Sequence, residues 1–322
     1  MRYRRLGSSG PEVSEVGFGA WGIGGSGWIG ADQDESIRAL NRAIGLGVNF
    51  IDTARGYGDS ERLVGEVVRG RPEAGVYVAT KVPPANGVFP APQGLDPDEV
   101  FSGDHVRACV ETSLQQLGLP AIDLLQFHVW QDEWLGHGEW AATIEALKAE
   151  GKVRWFGVSV NDHQPGSATE LVASGVADTV QVIYNVFDQS PEDALLPLCR
   201  QHGVGVIVRV ALDEGGLTGR ITPDTTFPDG DFRNAYFRGD RKAEVARRVG
   251  AIRADLGLAQ DEVASTALRF VLSHPAVTCV IPGMRSLRNV ERNTAVSDAG
   301  PLDAKTLALL RRHRWVRNFY QD

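Results

Sequence analysis

Long apolar runs are absent from this 322-residue chain, and so is any excess of positive charge. The most hydrophobic stretches, such as "VGVIVRV" (204–210), are one strand long, against the roughly 20 residues of a membrane span. No membrane partner is expected. Lys and Arg number 33 against 41 Asp and Glu, a net charge of −8. Phosphate neutralisation needs a basic face, so no nucleic-acid partner is expected either. Cysteine is scarce: Cys109, Cys199 and Cys279 are odd in number and far apart, which fits core thiols in a reducing compartment. The opening "MRYRRLGSSGPEVSEVGFG" carries charge but no apolar core of a signal peptide, so a cytoplasmic protein is expected. His128, Asp132, Glu133 and His137 match no ligand spacing, and no metal is expected.

What is present is regular alternation. Strand candidates are "EVGFG" (15–19), "VNFID" (48–52), "VYVATK" (76–81), "IDLLQFH" (122–128), "VRWFGVS" (153–159), "DTVQVIY" (178–184), "VGVIVRV" (204–210) and "VTCVIP" (277–282). Several are apolar throughout, as parallel strands covered on both faces are. Helix-period segments lie between them at 34–47, 104–119, 139–152, 192–203 and 261–274, with Asp34, Asp104 and Asp261 in N-cap positions. Gly45, Gly47, Gly118, Gly151 and Gly203 stand where helices stop. Eight βα repeats favour a closed (β/α)₈ TIM barrel, one domain over 1–322; an open doubly wound sheet is the alternative. "YRRLGSSGPEVSEVGFG" reads as a short N-terminal hairpin leading into the first barrel strand. The stretches 82–103 and 212–240 are long active-face loops. "GIGGSG" (22–27) has the letters of a dinucleotide fingerprint, but "WIGAD" separates it from any helix, so it is a loop.

Barrel enzymes draw their chemistry from the C-terminal ends of several strands. Those ends carry Asp52, Lys81, His128, Ser159, Tyr184 and Arg209, and Tyr57 follows Asp52 within the loop "ARGYGDS". A phenol is a poor acid at neutral pH, and a neighbouring cation lowers its pKa. Lys81 supplies such a cation, and Asp52 keeps it charged. A neutral His128 orients a carbonyl by donating to its oxygen. The set is suited to protonating an oxygen on which charge develops. Trp21 and Trp130 follow the first and fourth strands and are expected at the pocket mouth.

"FIDTARGYGDSERLVG", "VATK", "DLLQFH", "GKVRWFGVS", "QVIYN" and "IPGMRSLRNVERN", in this order along nearly the whole chain, resemble the aldo-keto reductases. The resemblance implies a barrel that binds NADP(H) and a catalytic tetrad of Asp52, Tyr57, Lys81 and His128, with Tyr57 as general acid. It implies that Ser159 and Gln181 hold the carboxamide of nicotinamide. Trp21, Asp52, Arg209, Leu212, Gly219 and Arg220 would contact the cofactor, and Gly283, Arg285, Asn289, Arg292 and Asn293 its adenosine phosphate end. Substrate would meet Trp21, Tyr57, His128, Trp130 and Arg209.

Three departures from the family pattern stand out. Arg209 occupies a position where an aromatic commonly stacks on nicotinamide; a guanidinium can also stack, but it adds a charge that disfavours the oxidised ring. Asp213 or Glu214 is expected to neutralise it. Val160 stands where many relatives have an amide after the serine. No lysine follows Pro282, though Arg285, Arg288 and Arg292 offer cations for a 2′-phosphate, so NADP(H) is expected over NAD(H). The implied activity is reduction of an aldehyde or ketone, a polar one such as a sugar, by a monomer or small homo-oligomer. Its rivals are a cofactor-binding regulatory subunit of the same fold without significant turnover, and a barrel lyase or isomerase using Lys81 as a Schiff base.

Overall fold

The computed structural model describes residues 1–315 and 317–320. β1 (Tyr3–Arg5) and β2 (Glu12–Ser14) pair antiparallel as the expected hairpin. The hairpin covers one end of the barrel: Arg4 Nη1 donates to Val277 O and Ser8 N to Gly203 O, both at strand entrances. Arg2 and Arg4 are ion-paired there with the buried carboxylate of Glu15.

Eight parallel strands follow: β3 (Phe18–Gly19), β4 (Phe50–Asp52), β5 (Tyr77–Val82), β6 (Ile122–Phe127), β7 (Val153–Ser159), β8 (Thr179–Ile183), β9 (Gly205–Arg209) and β10 (Val277–Val280). Each lies within the stretch expected for it or one residue beyond its end. They neighbour one another in sequence order. The first strand then meets the last: Gly17 N donates to Val280 O at 2.8 Å, and Val280 N to Glu15 O at 2.9 Å. A Cβ on Gly19 would stand 2.4 Å from Ile281 O, so this seam needs a residue without one. The barrel is closed, and the open-sheet alternative is set aside. Valine, isoleucine and phenylalanine fill both faces of the strands, as the unbroken apolar runs require.

Helices Gln33–Gly45, Gly103–Leu117, Trp140–Ala149, Leu195–His202 and Val263–Leu272 fall on the expected segments. Their N-caps do not. Asp32, not Asp34, accepts from Glu35 N, and Ser102, not Asp104, accepts from His105 N. At Val263–Leu272 a short 3₁₀ turn precedes the helix, and Glu262 accepts from Ala259 N in place of any cap by Asp261. The acids expected as caps sit inside the first turn or just before it, where a negative charge is equally favoured by the helix dipole. Helix Arg241–Leu256 has no counterpart among the expected elements; its many arginines and central Gly250 mask its period. Among the described residues no helix is long and apolar enough to cross a membrane.

Candidate active site

The C-terminal ends of β4 to β9 bring one polar residue each to the middle of the barrel. Strand register places Lys81 beside Gln126, Ser159 beside Gln181, and Ile183 beside Arg209. At the centre lies Asp52. Its Oδ2 accepts from Lys81 Nζ at 2.5 Å, and its Oδ1 accepts from Gln181 Nε2 at 2.7 Å and Gln126 Nε2 at 3.1 Å. Lys81 also donates to Thr53 O at 2.9 Å. Lys81 is 1% exposed. Burial pushes its ammonium below the usual lysine range, and the Asp52 carboxylate opposes that shift.

Tyr57 hangs over this pair from the loop after β4. The loop is held by Asp59 N donating to Gly24 O at 3.0 Å, and a Cβ on Gly24 would stand 1.6 Å from Tyr57 O. Only glycine allows "GIGGSG" to lie flat against the backbone of Tyr57; that stretch is a loop, as expected, and the next α-helix starts at Gln33. The Tyr57 ring stacks on Trp21, with centroids 5.7 Å apart. Lys81 Nζ is 5.0 Å from the centre of the Tyr57 ring. Tyr57 Oη and His128 Nε2 are 3.4 Å apart.

The protonation states follow from these surroundings. Burial, with the Lys81 and Arg209 charges, pushes His128 well below its usual range, so the ring is neutral. Its Nδ1 is buried without a hydrogen-bond partner among the described residues. An unpaired lone pair costs less there than an unpaired N–H, which assigns the proton to Nε2, facing Tyr57. The Tyr57 phenol is raised, first by burial and then by Asp52. This corrects the expectation that Lys81 makes Tyr57 a stronger acid at rest. The cation that does oppose the rise is Arg209.

Arg209 corrects a second expectation. Its counterion is neither Asp213 nor Glu214 but Asp162: Nη2 donates to Asp162 Oδ1 at 2.5 Å and to Val160 O at 2.8 Å. Asp213 instead accepts from Tyr236 Oη at 2.6 Å. Glu214 is pushed up to about 8 by burial and by the neighbouring Asp213 and Asp162. The loop carrying these groups is strained, because Val210, Asp213 and Glu214 all have φ between 51° and 54°. Trp130 is a third correction. It is 0% exposed, packed on Trp134 and Trp140, with Nε1 donating to Asp132. The mouth aromatic over His128 is Phe89, at a 5.1 Å centroid distance and 43% exposed.

The remaining positions lie on the neighbouring strand ends and in the loops and helix start that follow them. Ser159 and Gln181 are buried at adjacent strand ends. The Gln181 NH₂ is committed to Asp52 and Gln126, which turns its carbonyl oxygen away from that network. Helix Leu287–Ala299 starts beyond β10, with Ser286 accepting from Asn289 N, and Asn293 is buried in its second turn. Arg288 is exposed on the first turn, whereas Arg285 donates to Ile29 O and Arg292 to Asp261 O. Leu212 and Gly219 lie in the loop after β9, Gly219 accepting from Gln260, with Arg220 exposed beyond them; Gly283 bridges to Gly19. The donors Ser159 and Arg209, the Gln181 carbonyl and a helix N-terminus flanked by arginines are chemically suited to a carboxamide at one end and a phosphate at the other.

Gln126, Phe89, Asp162 and Tyr320 were not singled out in the sequence. Gln126 had a signal: it is a lone amide inside the apolar "IDLLQFH", two positions before His128 and so on the same face. Asp162 and Tyr320 had none, because their partners are distant in the chain.

The model of the aldo/keto reductase family matches residues 15–314. An NADH-specific methylglyoxal reductase of Escherichia coli strain K12 is 30% identical over 94% of this chain and 96% of its own. The L-galactose dehydrogenase of Arabidopsis thaliana is 30% identical over 92% and 88%. Among solved structures, a glycerol dehydrogenase of Gluconobacter oxydans superposes with a TM-score of 0.75 at 28% identity, covering 97% of this chain and 94% of that one. The holo form of a Bacillus halodurans aldo-keto reductase gives the same score at 27% identity over 98% and 96%. The chain therefore belongs to the aldo/keto reductase family, oxidoreductases that act on carbonyl compounds with a nicotinamide cofactor.

Proposed function

We propose that this chain is an NADP(H)-dependent oxidoreductase interconverting a polar aldehyde or ketone, such as a sugar, with its alcohol. It works as a single barrel domain in the cytoplasm, as a monomer or small homo-oligomer. One observation carries the reading: a phenol and a neutral imidazole, 3.4 Å apart, stand over a buried ammonium–carboxylate pair.

A carbonyl oxygen admitted between Tyr57 Oη and His128 Nε2 accepts a hydrogen bond from each. His128, being neutral, orients that oxygen and keeps its proton. The nicotinamide ring, when bound, supplies the hydride for the carbonyl carbon. Tyr57 gives up its proton as charge builds on the oxygen. The phenolate left behind has Lys81 Nζ 5.0 Å from its ring centre, held in place by Asp52. Lys81 therefore acts where the negative charge appears, not on the resting phenol, which is how a fixed charge accelerates a reaction. In the reverse direction the same phenolate takes the alcohol proton.

Ser159 and the Gln181 carbonyl oxygen would hold the carboxamide, with Trp21, Arg209, Leu212 and Gly219 along the cofactor. Arg288 would meet a 2′-phosphate, flanked by Arg285 and Arg292 and capped by the helix start at Ser286. Asp162 neutralises Arg209, which favours an uncharged polar carbonyl over one bearing a carboxylate. The names of the Escherichia coli, Arabidopsis and Gluconobacter relatives point to small oxygenated compounds of that kind. The Escherichia coli relative is named NADH-specific, so the phosphate end is the part to measure. NADPH consumption with a panel of small aldehydes and sugars tests the reaction; cofactor binding without turnover of any of them would favour a regulatory subunit. NADPH is expected to bind at least about tenfold tighter than NADH. Equal or tighter NADH binding would overturn the choice of NADP(H).

A further inference from the structure

Arg209 presents a problem that the proposed reaction does not solve. Its guanidinium is anchored to Val160 O, the carbonyl directly after Ser159. It sits on the strand neighbouring Gln181, and its charge is felt at Tyr57, Lys81 and His128. If Ser159 and Gln181 hold the carboxamide, a fixed cation lies beside the nicotinamide. An oxidised nicotinamide carries a positive charge and a reduced one does not. Alone, Arg209 would weaken binding of the oxidised form and slow any reaction that starts from it.

The structure contains a counterweight assembled from three separate parts of the chain. Asp162, in the loop after β7, accepts from Arg209 on Oδ1 and from Tyr320 Oη on Oδ2 at 2.8 Å. Tyr320 belongs to the C-terminal segment 317–320, whose described residues are docked on the barrel. Phe319 is 6% exposed, with its ring against His163, Phe232 and Tyr236. Arg238 donates to Phe319 O at 3.0 Å. Arg317 lies over the Tyr236 ring and 3.5 Å from Asp213. The other nearby carboxyl, Glu214, is pushed up to about 8 and is largely protonated at neutral pH, so the balancing charge comes from Asp162.

We propose that Asp162, fixed by Tyr320 of the C-terminal tail, balances the charge of Arg209 so that the oxidised and reduced cofactors are both accepted. Asp162 and Tyr320 are on this account positioning residues: they set the ratio of the two cofactor affinities and leave the chemistry to Tyr57. The inference rests on the nicotinamide lying beside Ser159.

The test is the ratio of dissociation constants for NADP⁺ and NADPH, from quenching of intrinsic tryptophan fluorescence, in wild type, Asp162→Asn and Tyr320→Phe. Asp162→Asn keeps an acceptor for Arg209 and removes the charge. It is expected to raise the ratio, NADP⁺ over NADPH, by about tenfold. Tyr320→Phe removes one hydrogen bond at a 39%-exposed position and is expected to move the ratio two- to threefold in the same direction. Each ratio compares two ligands on one preparation, so an inactive fraction does not distort it. If Asp162→Asn fails to fold, Tyr320→Phe decides alone. An unchanged ratio in variants that bind both nucleotides overturns the proposal and leaves the carbonyl-reductase reading standing. A wild type that binds neither nucleotide overturns both.

Discussion

Asp52 and Arg209 are both partly committed charges at strand ends, yet they are held in opposite ways. Around Asp52 the partners Lys81, Gln126 and Gln181 all come from barrel strands, with the Lys81 bond joining adjacent strands and the Gln181 bond crossing the barrel interior from β8 to β4. Around Arg209 the partners come from a loop and, through Asp162, from the last described residues of the chain. The loop after β9 carries three non-glycine residues at positive φ. Nearby donors and acceptors such as Arg209 Nε and Asp213 Oδ2 are buried with no hydrogen-bond partner among the described residues. The floor of the site is thus fixed by the barrel itself, and the roof by tertiary contacts that keep strain and unpaired polar groups. A rigid floor can hold a reacting oxygen to a fraction of an ångström, whereas a roof of that kind can admit and release a cofactor.

The sharpest way to break this contrast is at Tyr57. Tyr57→Phe removes one hydroxyl and none of the floor bonds. Turnover is expected to fall by roughly 10²–10⁴-fold, the usual worth of a positioned general acid, with cofactor affinity unchanged. Retention of most of the turnover would mean that His128 or a water protonates the oxygen and that the floor does not serve Tyr57. Because burial raises the phenol, the group stays protonated at and above neutral pH. The reduction rate should therefore show no alkaline loss from Tyr57 until well above the ordinary tyrosine range.

A second way is to ask whether the floor is structural as well as chemical. Lys81→Met leaves Asp52 buried beside two amides and without its cation. Breaking a buried pair from one side costs about 3–5 kcal/mol, and the double variant Lys81→Met/Asp52→Asn should recover part of that cost. Urea denaturation of both variants measures it. A loss under about 1 kcal/mol for Lys81→Met would show that the pair is not what holds the floor together.

The same contrast explains what the sequence could and could not reveal. All eight strands and the hairpin were legible, because unbroken apolar runs and turn glycines are local signals. So were Asp52, Lys81 and Ser159, each a polar residue closing an expected apolar strand, and His128 at the end of another; Gln181, in the middle of its strand, was marked only by the family resemblance. Trp130 was misplaced, since a tryptophan after a strand gives no local sign of whether it turns to the mouth or folds back; here Trp134 and Trp140 provide a ring-lined slot behind it. Proximity in sequence points to Asp213 or Glu214 as the counterion of Arg209. The φ values near +50° at Val210, Asp213 and Glu214 redirect that loop, and the partner arrives from a different strand end. Roof contacts of this kind span 47 and 158 residues, beyond any local pattern.

The smallest expected effect tests the cost of the roof through Glu214. Its carboxyl is pushed up to about 8, from an ordinary value of 4.5, by burial and by Asp213 and Asp162, with Arg209 and Arg233 opposing. Between those two values the folded chain holds a proton that the unfolded chain has released. Glu214 therefore contributes stability that is fully present below about pH 4.5 and is lost as pH rises to about 8. Asp213, also raised by burial, adds to the same slope from its own position, so the loss should be reduced but not abolished when Glu214 is replaced. Glu214→Gln cannot ionise. Its melting temperature should match wild type near pH 5 and exceed it by on the order of a few degrees at pH 8, the side chain being only half-buried. A difference between variant and wild type that does not grow with pH would mean the roof opens enough to hydrate Glu214, and the strained loop after β9 would then have to be held by Arg209–Asp162 and the docked tail alone.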